Sequence, residues 1–173
     1  MASIIGVETL QHTNGTTAAT IKSDGTFYPT GGIVQVKQTV KTDVFTTTST
    51  SYTDLTGLSV AITPKSTSSK IMVEFHIGAH NTSVATVAQY KIVRGSTDIG
   101  LGDSGNGTQG TIGCTMNASR GETVSMKYLD SPATTSEVTY KIQAKVHSGT
   151  LDVNRRPSQY SSISTITVTE IAG

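Results

Sequence analysis

The chain has 173 residues, of which 14% are charged, with a net charge of +1 and no tryptophan. That length bounds it to one ordinary domain with a short appendage. The near-neutral balance lacks the concentrated Lys/Arg footprint that nucleic acid requires, and no run reaches the roughly 20 apolar residues of a membrane span.

Cys114 is the single cysteine, so no intramolecular disulfide forms. With no basic start and no apolar run of a secretory signal, folding in a reducing cytoplasm is expected. About 50 residues are Ser or Thr and 17 are Gly. Abundant Thr, Val and Ile favour strands, because β-branched side chains fit a pleated surface.

Residues 4–26 form two short apolar/polar stretches that meet at Asn14-Gly15, the second ending at Asp24-Gly25. Both dipeptides favour tight turns. Tyr28-Pro29-Thr30-Gly31-Gly32 then stops regular structure. This unit, residues 1–32, holds too little apolar material to fold alone and is expected to dock on something or pair with its own copies.

From residue 33 the alternation is sustained. Residues 33–40 open the domain, and the Thr/Ser run 46–51 reads as an exposed or edge strand. Residues 58–63 are stopped by Pro64. Ile71, Val73, Phe75, Ile77 and Ala79 share one face of a long strand, with Met72, Glu74, His76 and His80 on the other. Residues 87–94 form a further strand, Val138 to His147 give the strongest period of two, and residues 162–171 close the domain. Gly95 to Gly113 reads as a long Gly-rich loop, either functional or mobile. About eight strands with no 3.6-residue period predict an all-β fold, an antiparallel β-sandwich of jelly-roll type.

Motifs that could carry chemistry are weak. Gly102-Asp103-Ser104-Gly105 matches the nucleophile string of chymotrypsin-like proteases, but Asn106-Gly107 follows where that family has Gly-Pro, and His80 lies too close in sequence for a two-barrel fold. His76 and His80 share a strand face about 13 Å apart, too far for one Zn²⁺. Asp98, Asp103 and Asn106 offer few oxygen ligands for Ca²⁺ and lack an EF-hand pattern. Arg155-Arg156-Pro157 reads as a surface turn. No enzyme activity, cofactor or metal is therefore expected.

The residue 4–26 segment closely resembles the N-terminal segment of virion structural proteins from tailed phages of cyanobacteria and marine bacteria. Residues 46–51, 52–64 and 66–71 resemble the first core strands of that family. Tyr128 to Thr135 with Tyr140 to Gln143 resemble a later hairpin, and Ser164 to Ala172 its final strand. The resemblance implies a homotrimer whose arm, residues 1–32, anchors to the particle while a β-sandwich, residues 33–173, projects from it. It implies a capsid decoration (cement) role with the major capsid protein as partner, and a virion assembled in the host cytoplasm. Ile4, Ile5, Val7, Leu10, His12, Asn14 and Ile21 are then the anchoring candidates. The alternative is a short tail or neck fibre whose 95–113 loop touches a host surface glycan. Neither reading involves nucleic acid or membrane.

Overall fold

The computed structural model describes residues 6–81, 86–116, 121–156 and 160–173. Three short strands come first: β1 (Thr9–Gln11), β2 (Thr17–Ile21) and β3 (Phe27–Pro29), antiparallel in the order β1–β2–β3. Their two hairpins are built alike. His12 N–H donates to Thr16 O and Gly15 N–H to His12 O, and Lys22, Gly25 and Thr26 repeat the pattern. Only the glycines adopt positive φ, 85° at Gly15 and 80° at Gly25. Asn14 and Asp24 act instead through their side chains, each accepting from the Thr two residues on, at 3.0 and 2.9 Å. This is a type I turn closed by a glycine bulge, one of the favoured hairpin connections.

The remaining strands are β4 (Ile33–Lys41), β5 (Phe45–Thr47), β6 (Thr53–Ile62), β7 (Lys70–Asn81), β8 (Thr86–Arg94), β9 (Thr97–Ile99), β10 (Ile112–Met116), β11 (Gly121–Asp130), β12 (Val138–Val146), β13 (Leu151–Val153), β14 (Arg155–Arg156), β15 (Tyr160–Ser161) and β16 (Ser164–Ile171). One sheet runs β4–β16–β7–β11, with β13 and β5 extending it beside the end of β7. The other runs β6–β12–β8–β10, with β9 on the same edge of β8 as β10. Among the eight long strands, successive members alternate between the sheets except for β8 and β10, which are neighbours. That order is the double Greek key of a jelly roll, as the sequence predicts.

The core lies between the sheets. Val73, Phe75, Ile77, Ile166 and Val168 from the first meet Leu55, Leu58, Tyr90, Tyr140 and Ile142 from the second. At the β11–β12 end, buried Asp130 is satisfied by Arg94, whose Nη1 donates to both carboxylate oxygens at 3.0 Å, and by Tyr140 Oη at 2.7 Å. Burial, then the bond to Asp130, raises the Tyr140 phenol. Tyr90 Oη is the one buried side-chain polar atom without a partner among the described residues.

Three sequence expectations change. The 46–51 run is not a strand throughout: β5 covers only Phe45–Thr47, and the following Ser and Thr residues bond locally, Ser49 N–H to Thr47 Oγ1 and Ser49 Oγ to Ser51 O. The 95–113 stretch is not one free loop, since it contains β9, a 3₁₀ turn at Ser104–Asn106 and the start of β10. β10 and β11 complete the two sheets where the alternation was not read as strand, apart from Tyr128–Asp130 at the end of β11, which fell in the hairpin resemblance.

Asn154 ties the start of β16 to the rest. It is fully buried at φ 66°. Its Nδ2 donates to Lys41 O and Asp43 O at 2.9 and 3.1 Å, and its Oδ1 accepts from Ser164 Oγ at 2.6 Å. Its backbone bonds Gly78 and Ser162. Asn is one of the few side chains that tolerate this conformation. Asn154→Ala is therefore expected to lower stability by at least about 2 kcal/mol, because buried groups lose their partners. Asn154→Gly should recover only the backbone part, and urea unfolding of the three proteins measures the difference.

Candidate interaction surfaces

The N-terminal sheet is held on the sandwich by a buried carboxylate. Glu170, at the end of β16, has no solvent exposure. Its Oε1 accepts from Lys65 N–H at 2.7 Å and Ser69 Oγ at 2.6 Å, and its Oε2 from Gln35 Nε2 at 2.6 Å. Since the Ser69 hydroxyl proton goes to Glu170, Tyr28 Oη donates to Ser69 Oγ in their 2.9 Å contact. Lys22 Nζ lies 4.6 Å from the centre of the Tyr28 ring. Asp24 reaches Lys65 Nζ at 2.5 Å, and Ala172 N–H donates to Gly32 O at 2.9 Å.

Register separates the two faces of the small sheet. Thr20 pairs with Tyr28, whose hydroxyl reaches Ser69 on the sandwich; Leu10 pairs with Ala19, Ala19 with Pro29, and Ile21 with Phe27 on the opposite face, where Ala19 is itself buried. Leu10 is 45% exposed and Phe27 51%. Of the anchoring candidates, Val7 is exposed, Leu10 and half-buried Ile21 lie on the open face, and His12 and Asn14 are exposed in the first turn. Asn14 N–H donates to His12 Nδ1 at 3.3 Å, so these two shape the turn itself. Ile4 and Ile5 lie outside the described residues. Phe27 belongs to the open face and was missed; its alternation with Tyr28 was the available signal.

A second apolar stretch crosses the outer face of the first sheet. Val36, Thr169, Met72 and Leu129 stand side by side on β4, β16, β7 and β11, with Val36 and Leu129 about half exposed. The outer face of the second sheet is different in character. It carries Lys91 bonded to Asp98 and Lys141 bonded to Asp54, at 2.7 and 2.8 Å.

The other motifs do not assemble a centre. Ser104 lies on the exposed 3₁₀ turn, which Asp103 caps by accepting from Gly105 N–H at 3.2 Å. His76 and His80 line one small pocket of about 100 Å³ with Glu122, Arg155 and Ser162. His76 Nδ1 contacts Ser125 Oγ at 2.9 Å, and Arg155 Nη2 donates to buried Asp152 at 3.1 Å. Among the described residues, no group of three or more His, Cys, Asp or Glu is placed to hold a metal ion, and no helix is long and apolar enough to cross a membrane. Burial, aided by Glu122, pushes the half-buried Cys114 thiol up to about 11.

These features define an all-β jelly-roll module bearing a docked β-hairpin arm with an open apolar face. No protein-family model matches the chain, and no curated protein does. Among solved structures, it is similar to infectious bursal disease virus Gt strain, with a TM-score of 0.45 and 11% identity over 99% of this chain and 43% of that chain. It is likewise similar to the VP2 subviral particle of that virus, with a TM-score of 0.44 and 12% identity over 99% of this chain and 42% of that one. Dimeric latent PorU from Porphyromonas gingivalis gives a TM-score of 0.39 and 11% identity over 82% of this chain and 14% of that one. The chain thus spans less than half the length of each of these, and likeness at this level assigns no family.

Glu170→Gln is expected to loosen the arm. Every group around the carboxylate donates, so the amide NH₂ must face a donor in either orientation, and a buried mismatch costs about 1–3 kcal/mol. Amide exchange over β1–β3 should rise more than over β7. The Lys65 bond, then the Thr26 N–H, holds the Asp24 carboxyl well below the usual range. A depressed folded-state value means the contact is present at neutral pH and lost as pH falls through it. Asp24→Asn should therefore speed arm exchange at pH 7, and the two proteins should converge in strong acid.

Proposed function

We propose that this protein is a non-enzymatic virion structural protein, a homotrimeric decoration (cement) protein that attaches to the major capsid protein of a tailed phage. The observation that carries the reading is the open face of the arm. A three-stranded sheet is tied to the sandwich through Tyr28 and leaves Leu10 and Phe27 about half exposed on the opposite face, beside half-buried Ile21. Exposed apolar side chains on a small fixed element suit a protein partner, since burying them contributes about 25 cal/mol per Å². The resemblance of residues 4–26 and of the core strands to phage virion proteins supplies the partner.

Trimerisation would cover the apolar row Val36, Met72 and Leu129, and with it the long β4 edge, which otherwise invites uncontrolled pairing. The ion-paired face of the second sheet would remain in solvent. Localisation is then the virion, after assembly in the host cytoplasm. The fibre reading draws on a different observation, the 100–111 loop tied to that second face by Tyr52 and Gln89, where a host glycan could be met.

Leu10→Asp with Phe27→Asp leaves Tyr28 and Glu170 in place, so the double variant is expected to keep the wild-type melting temperature and lose binding to undecorated heads. Removal of residues 1–30 should likewise abolish attachment while the trimer stays folded. Antibody-gold labelling of intact virions separates the two placements: label over the shell supports decoration, and label confined to tail or neck supports the fibre. Undiminished head binding by the double variant would overturn the attachment mechanism.

A further inference from the structure

The outer face of the second sheet carries a groove of about 290 Å³ lined by Val87, Gln89, Lys145, His147 and Thr108. Its floor is strand: Gln89 lies opposite Lys145 on β8 and β12, and His147 N–H bonds Val87 O. Its wall is the 100–111 loop, bound down by Tyr52 Oη to Gln109 O at 2.8 Å, Gln89 Nε2 to Thr108 O at 3.2 Å and Gln109 Nε2 to Gly102 O at 2.7 Å.

Charge in this region is uneven. Three lysines stand on the face, and two are neutralised, Lys91 by Asp98 and Lys141 by Asp54. Lys145 contacts the Tyr52 ring, 5.3 Å from its centre, and has no acidic partner among the described residues. Lys91 sits 4.6 Å from the centre of the same ring. The groove thus holds one uncompensated ammonium beside an imidazole, an amide, a hydroxyl and an exposed apolar patch at Val87.

We propose that this groove binds an acidic saccharide, with its carboxylate on Lys145. The space is many times that of a bare inorganic anion. A sugar ring offers alternating C–H and O–H surfaces, for which the lining supplies apolar Val87 together with the polar groups of Gln89, Thr108 and His147. Without tryptophan for stacking, the charge-assisted bond from Lys145 supplies the orientation. A single free cation is too little for a nucleic-acid backbone. The inference is independent of where on a particle the protein sits.

The test titrates the 173-residue protein with trigalacturonate, with galactotriose and with inorganic phosphate, at low salt, by NMR and calorimetry. Trigalacturonate is expected to shift the resonances of Val87, Gln89 and Thr108, with galactotriose and phosphate each at least about tenfold weaker. Lys145→Ala should weaken trigalacturonate about tenfold and remove most of the salt dependence, with Lys145→Arg retaining binding and Lys37→Ala, on β4, unchanged. Equal binding of the neutral trisaccharide or of phosphate, no binding of trigalacturonate, or an unaffected Lys145→Ala would each overturn the proposal.

Discussion

The position of the arm rests on one buried carboxylate. Glu170 is the last inward-facing residue of β16, the strand that lies between β4 and β7 in the first sheet. A carboxylate withdrawn from water is tolerated only when its lone pairs are occupied. Here the donors come from β4, from the β6–β7 connection and, through Ser69, from Tyr28 in the arm. Satisfying that charge therefore forces three separate segments to converge. The open apolar face follows from this convergence, because fixing Tyr28 inward turns Leu10 and Phe27 outward.

The opposite end of β16 is pinned by a different buried polar group, Asn154, which receives Ser164 and holds the carbonyls of Lys41 and Asp43. Between these two hubs the strand is a plain alternation of Ile and Val inward with Thr outward. The sandwich consequently has two unlike outer faces. On the first sheet the central Thr residues of β16 are flanked by Val36, Met72 and Leu129, and among the described residues the outer-face ion pairs, Lys127 with Glu74 and Arg155 with Asp152, lie away from that row. On the second sheet, lysines on β8 and β12 meet acids on β9 and β6. An apolar face suits burial against protein and a charged face suits solvent or a polar ligand, so the two surfaces divide between separate tasks.

The strands most legible in the sequence, β7, β12 and β16, are those with one buried face and a long alternation. In β7 the run Ile71, Val73, Phe75, Ile77 and Ala79 outweighs outward Met72, whereas β11 has only Val124, Met126 and Tyr128 inward before outward Leu129, and only its end was caught, in the hairpin resemblance. β10 is short, and its outward residues are Gly113 and Thr115, which read as loop. The turns at Asn14-Gly15 and Asp24-Gly25 were legible because their chemistry is local. The docking of Tyr28 was not, since Ser69 lies 41 residues further along and Glu170 about a hundred beyond that. No periodicity encodes such a pairing. The groove at Lys145 was hidden for the same reason, as it needs β8, β12 and the 100–111 loop together.

Glycine content in that loop misleads when it is read only as freedom. A Cβ on Gly110 would stand 2.5 Å from Tyr52 Oη and 3.2 Å from Tyr90 O. Glycine at this position is thus a condition for the backbone to approach the sheet closely enough for Gln109 O to accept from Tyr52. The same close approach lets Gln89 reach Thr108 and closes one wall of the groove. A segment whose composition suggests mobility is in this fold tied down by side chains, and Gln89 beside it is oriented by its bond to Thr108 O. Pre-ordering of this kind lowers the entropy that a ligand must overcome on binding.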